Sequence, residues 1–129
     1  MNNPEGVIIS PSPFNVKETI NRLEAFLRQH GVTIYARIDQ QAELLKAGQT
    51  IAPLDFILFG NPKAGGPIMV SNPMAALDLP LKVIAWENEK QEVFVAYNDA
   101  SYIEDRYALA HNPASPLNLA NLIAMALKS

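Results

Sequence analysis

Leu54-Asp55-Phe56-Ile57-Leu58-Phe59-Gly60 and Pro80-Leu81-Lys82-Val83-Ile84-Ala85-Trp86 are the stretches whose reading decides the fold. Each has the length and the β-branched or aromatic content of a strand. In the first, Leu54, Phe56 and Leu58 face one way, and Ile57 and Phe59 the other. In the second, Lys82, Ile84 and Trp86 oppose Leu81, Val83 and Ala85. A sheet with one wet face alternates apolar with polar residues. These strands are apolar on both sides, so either helices cover both faces or a second copy covers one. The expectation is a homodimer, with the short helices between strands as the competing explanation.

Outward from this pair, Glu87 to Gln91 is a polar turn and Glu92 to Tyr97 the returning strand of a hairpin. Upstream, Val7-Ile8-Ile9 is a first strand, and Ser12-Pro13 reads as a cap with proline at the first helical position. Val16, Ile20, Leu23 and Leu27 form the stripe of an amphipathic helix that Gly31 ends. Val32 to Ile38 is a second strand with Ile34, Ala36 and Ile38 on one face. Asp39 caps a short helix closed by Gly48. Lys63 to Asp78 reads as two helical turns, each entered at a proline, Pro67 and Pro73. Ser101 with Glu104 is a capping-box pattern, and Ser115-Pro116 opens a last helix to about Lys128. This order predicts one α+β domain over 1–129, with its core from about 6 to 128. The architecture is a two-layer sandwich: a mostly antiparallel five-stranded sheet, a β-α-β(4)-α core and extra short helices.

The 129 residues, 49% hydrophobic and 18% charged, are enough for a core without covalent staples. A net charge of −3 gives no reason to expect nucleic acid or an anionic membrane as partner. The absence of cysteine excludes disulfides, thiolate metal sites and a cysteine nucleophile. The first residues lack a basic and then apolar signal segment, and Leu117 to Leu127 is too short to span a bilayer. A cytoplasmic location is expected, with no membrane partner and no cofactor.

His30 ends a helix and His111 lies in a loop, neither with a second ligand at metal spacing, so no metal site is expected. Gly60-Asn61-Pro62-Lys63-Ala64-Gly65-Gly66 lacks the spacing of a phosphate loop. It reads first as a turn, and second as backbone amides holding an anion near Gly66-Pro67. Asp78-Leu79-Pro80-Leu81-Lys82 sets a carboxylate and an ammonium among leucines. A lysine over an apolar surface needs a partner, for which Asp78 and then Asp55 are the candidates. The ligand-binding candidates are Asp39, Asn61, Asp78, Lys82 and Tyr97. The leading reading is a small dimeric binding module for a polar or anionic small molecule. One alternative is a lyase, isomerase or hydrolase using Asp39 or Asp78 with Lys82. The other is a structural or protein-interaction domain.

Leu58-Phe59-Gly60-Asn61-Pro62, Met69, Ala76 to Val83, Trp86-Glu87 and Tyr97-Asn98-Asp99 form an ordered set, with Asp39, Ala42 and Gly48 before it. From about Val7 to Leu127 this set resembles the domain-of-unknown-function 302 family. The resemblance implies a compact α+β domain, laid out like TATA-binding-protein folds, that tends to dimerise and has no assigned activity. The fold likeness is not a sign of DNA binding, because function lives in sites. One departure is Gln40, where the family commonly has a histidine after the aspartate. If an Asp-His pair were catalytic in relatives, this chain would lack its base.

Overall fold

A computed structural model describes residues 3–129. Its elements are β1 (Val7–Ser12), α1 (Val16–Gln29), β2 (Thr33–Asp39), α2 (Gln40–Lys46), β3 (Leu54–Gly60), α3 (Pro62–Ser71), a 3-10 turn (Pro73–Leu77), β4 (Leu81–Glu87), β5 (Val93–Asn98), α4 (Ala100–Arg106) and α5 (Ala120–Ala126). The strands form one five-stranded sheet in the order β1-β5-β4-β3-β2, every neighbouring pair antiparallel. The α+β fold is as expected, and the boundaries differ in instructive ways.

Ser12 does not cap α1. It ends β1, its hydroxyl 2.6 Å from that of buried Thr19, and the cap is Asn15, whose Oδ1 accepts from the Glu18 amide at 2.7 Å. Asparagine caps as well as serine, and Glu18 stands in the first turn, where the helix dipole favours an acid. Asp39 does cap α2, accepting from Ala42 N at 2.9 Å. Between Ile34 and Ala36 the register of β2 slips. Ile34 therefore lies opposite Phe59, whereas Ala36 and Ile38 lie opposite Leu58 and Phe56 on the other face. The bulge also turns Arg37 and Asp39 toward the helices.

Further along, α3 begins at Pro62 behind an Asn61 cap and carries Pro67 inside it, while the 3-10 turn does start at Pro73. Asp99, and not Ser101, caps α4; Glu104 is buried and accepts from Asn112 N at 3.2 Å. Ser115 and Asn118 cap two successive turns, which delays α5 to Ala120.

One face of the sheet carries Ile57, Phe59, Val83, Ala85, Val95 and Tyr97. They are packed under Val16, Ile20, Leu23 and Leu27 of α1 and Ile123, Ala126 and Leu127 of the C-terminal segment. A second cluster joins Ala75, Ile103, Tyr107 and Leu117. The opposite face carries Ile9, Leu54, Phe56, Leu58, Ile84, Trp86, Phe94 and Ala96, and none of them belongs to either cluster. Trp86 and Phe94 are tilted neighbours there, their ring centroids 5.7 Å apart.

Gly6 enters β1 with φ +76°, and a Cβ on it would run into the Tyr102 ring; Gly31 has φ +74° with open space around it. Gly31→Ala is expected to cost about 1–2 kcal/mol through backbone conformation alone. Gly6→Ala should cost clearly more, because Tyr102 must also move. Urea denaturation of both variants checks this, and equal losses would mean that the Tyr102 contact contributes nothing.

Candidate functional site

The chain leaves β3 at Gly60 and re-enters the sheet at Leu81, and the twenty residues between must arch over that end. Asn61 starts the arch. Its side chain accepts from Lys63 N at 3.0 Å, and its carbonyl accepts from Ala64 N and Gly65 N at 2.9 and 2.8 Å. The first-turn amides that could have held an anion are thereby already bonded. On the far side, the turns from Ser115 to Leu119 descend toward the same end of the sheet. Between them lies a cavity of about 400 Å³, floored by Phe59 and Leu81 and walled by Ala64, Ile68, Met69, Leu117 and Leu122. Among the described residues no Asp, Glu, Lys, Arg or His lines it, and its polar side chains are those of the exposed Tyr35, Asn61 and Asn118.

Of the five candidates from the sequence, Asn61 lines this cavity and the others lie elsewhere. Asp78 is held by Arg106, at 3.0 Å, and by the Tyr107 hydroxyl. That hydrogen bond, first among the causes, raises the Tyr107 pKa. Together with the bond from Asn72 Nδ2 to the Tyr107 carbonyl, it fastens the arch to α4. Lys82 does not pair with Asp78 or Asp55. It faces the opposite side of the sheet, its Nζ 4.2 Å from the centre of the Phe56 ring. The reason is strand parity: Lys82 pairs with Leu58, whereas Asp55 shares its face with Ile57 and Phe59. A cation over an aromatic face is attracted by the ring's quadrupole. Tyr97 is a core residue whose pKa burial pushes up.

Asp39 belongs to a separate charged network on the helix side. Lys17 of α1 donates to Asp39 at 2.6 Å and to Asp55 at 3.1 Å, and Arg37 lies 3.7 Å from Asp55. Asp55 is only 2% exposed, so these two cations compensate a buried carboxylate. The Lys17 hydrogen bond, with that from Ala42, holds the Asp39 carboxyl below its usual range, and the same bond to Asp39 raises Lys17.

The sequence model of a protein family described as domain of unknown function DUF302 matches residues 8–127. The chain belongs to this family. A crystal structure of an uncharacterised conserved DUF302 protein from Bacillus stearothermophilus shares the fold, with a TM-score of 0.75 at 18% identity over 96% of this chain and 97% of that one. The DUF302 domain is also 33% identical over 104 residues, 81% of its length, to a protein named fluoride-specific ion channel FluC 1 of Brucella suis. The same identity and length relate it to a FluC 1 of Brucella abortus. It spans 41% and 38% of those two relatives. No helix among the described residues of this DUF302 domain is long and apolar enough to cross a membrane.

The Ser115–Leu122 wall and Tyr35 carried no sequence signal, since apolar residues in a C-terminal segment read as core. Asp55, a lone carboxylate inside an apolar strand, did carry one, and its partners are Lys17 and Arg37.

Lys17→Met tests the network. A lowered Asp39 pKa contributes stability above the unfolded value of about 3.9, lost as pH falls through the lower folded value. Lys17 is itself 58% exposed, which discounts its Coulombic share, but its loss strips Asp55 of its nearer cation. The variant should lose about 1–2 kcal/mol at pH 7, and the deficit should shrink toward pH 3. Denaturation curves at both pH values check it; a deficit that does not vary with pH would remove the ionic explanation.

Proposed function

We propose that this chain is a small-molecule-binding module that works as a homodimer. The observation that carries the binding half is the cavity beneath α3. Its volume of about 400 Å³ falls within the roughly 300–1,000 Å³ of ligand pockets, and its wall is mostly apolar with a few polar groups, as in such sites. Asn61 is the candidate residue that stays with this reading. An anion held between Asp78 and Lys82, or acid/base chemistry by that pair, loses its geometric support because the two do not meet. The Brucella relatives, in which a similar stretch makes up about two-fifths of a longer protein, favour a module used in more than one setting.

The self-association half rests on the uncovered sheet face. Five strands about 4.8 Å apart and six residues long present on the order of 400 Å² in projection. The largest apolar patch on a single chain is commonly of about this size and often functional, and the large side chains here are half-buried, so a second copy would complete their burial. Lys82 brings a charge to this face, and it already lies over Phe56.

Two measurements test the proposal. Sedimentation velocity at micromolar concentration should show a dimer for the native chain and a folded monomer for Ile84→Lys; a native monomer removes the self-association half. A thermal-shift screen of small molecules should find saturable stabilisation that Ala64→Trp, which fills the cavity, abolishes. Hits that survive Ala64→Trp would place binding elsewhere.

A further inference from the structure

The cavity's chemistry narrows its ligand, given the binding reading above. It is a half-open space whose floor is backed by the buried apolar residues Leu27, Phe59 and Leu117 and whose sides are half-buried apolar residues such as Ala64, Ile68, Met69 and Leu81. A charged group set against them would lose part of its hydration and meet no charged side chain in return. The amides at the start of α3, the other source of positive potential, are bonded to Asn61. Water is held poorly as well. The volume is ample for several waters, but each needs two to four polar partners, and the polar side chains sit at the exposed rim. Displacing poorly held water with apolar surface gains affinity.

The wall that would admit a ligand is also identifiable. No residue of α3 is buried, and Gly65-Gly66-Pro67 interrupts its middle. Pro67 has no N–H to give the preceding turn, and two glycines lower helix propensity. Ala64, Ile68 and Met69 face the cavity, whereas Val70 is 86% exposed to solvent. This helix is the least anchored boundary of the space it closes.

We infer that the cavity takes an uncharged, mainly hydrocarbon molecule, entering past α3 and leaving any polar group at the rim beside Tyr35 and Asn61. A matched pair of fluorescent probes tests the inference: N-phenyl-1-naphthylamine, which is neutral, and the same skeleton bearing an 8-sulfonate. The neutral probe should bind saturably and at least tenfold more tightly than the sulfonate. Ala64→Trp should weaken it at least tenfold, while Val70→Ser, on the outer side of the same helix, leaves it unchanged. Met69→Trp, on the same wall, replaces Ala64→Trp should circular dichroism show that variant unfolded. Equal or tighter binding of the sulfonate, still abolished by filling the cavity, overturns the inference about ligand class and leaves the binding site standing. Undiminished binding of the neutral probe to a folded cavity-filled variant, or no saturable binding of either probe, overturns both.

Discussion

One helix cannot cover this sheet, and much of the structure follows from that mismatch. A fourteen-residue helix is about 21 Å long and about 10 Å across. Five strands about 4.8 Å apart make a sheet nearly twice that width. Laid over β2, β3 and β4, α1 leaves the rest of that face to the C-terminal segment, which supplies Leu119, Ile123, Ala126 and Leu127 to the same core. The arch from Asn61 to Pro80 must then close the end where β3 and β4 emerge. It is held mainly at its far end, where Ala75 enters the second cluster and Asp78 meets Arg106 and Tyr107. Near its start, α3 has no fully buried residue, and Ile68, half-buried against the second cluster, is its main contact with the core. A cover assembled from three separate segments, one of them loosely fixed, meets over a space instead of filling it.

Burial of Asp55 imposes a second requirement. A strand whose inward positions are Asp55, Ile57 and Phe59 puts a carboxylate at the edge of the core. Removing that charge from water costs several kcal/mol unless it is compensated. Lys17 comes from α1 and Arg37 from β2, so the pairing fixes how the helix lies along the sheet. The bulge in β2 serves the same end. Without the slip at Tyr35, Arg37 would face away from Asp55, and Tyr35 would not stand at the cavity mouth.

The sequence disclosed elements through periodicity and concealed what depends on register. The α1 stripe, the caps at Asp39 and Gly31, the hairpin and the two-sided apolar character of β3 and β4 are all local patterns, and the structure has them. Asn15 and Asp99 take the caps expected of Ser12 and Ser101 because they cap as well or better and only packing chooses among neighbours, whereas Ser115 caps a separate turn and α5 starts behind Leu119 with no side-chain cap. The Asp78–Lys82 pairing fails for a longer-range reason. Four residues apart in sequence, they lie on either side of a strand start, and strand parity then sends Lys82 to the uncovered face. The cavity was legible only at Asn61, since its other walls come from segments whose meeting no local pattern records.

The two halves of the proposed function occupy opposite sides of one sheet, and the strands link them. Phe59 and Leu81, which floor the cavity, are cross-strand partners, and Leu58 and Lys82 beside them are partners on the uncovered face. A side chain on one face is thus one residue from a side chain on the other. Under the proposed function, a molecule seated on Phe59 and Leu81 would lie one residue away from the Leu58 and Lys82 side chains offered to a second copy. Lys82 is the costly group in such an interface, because an ammonium between two apolar sheets loses its water. Its seat over the Phe56 ring keeps part of the electrostatic compensation when that water leaves.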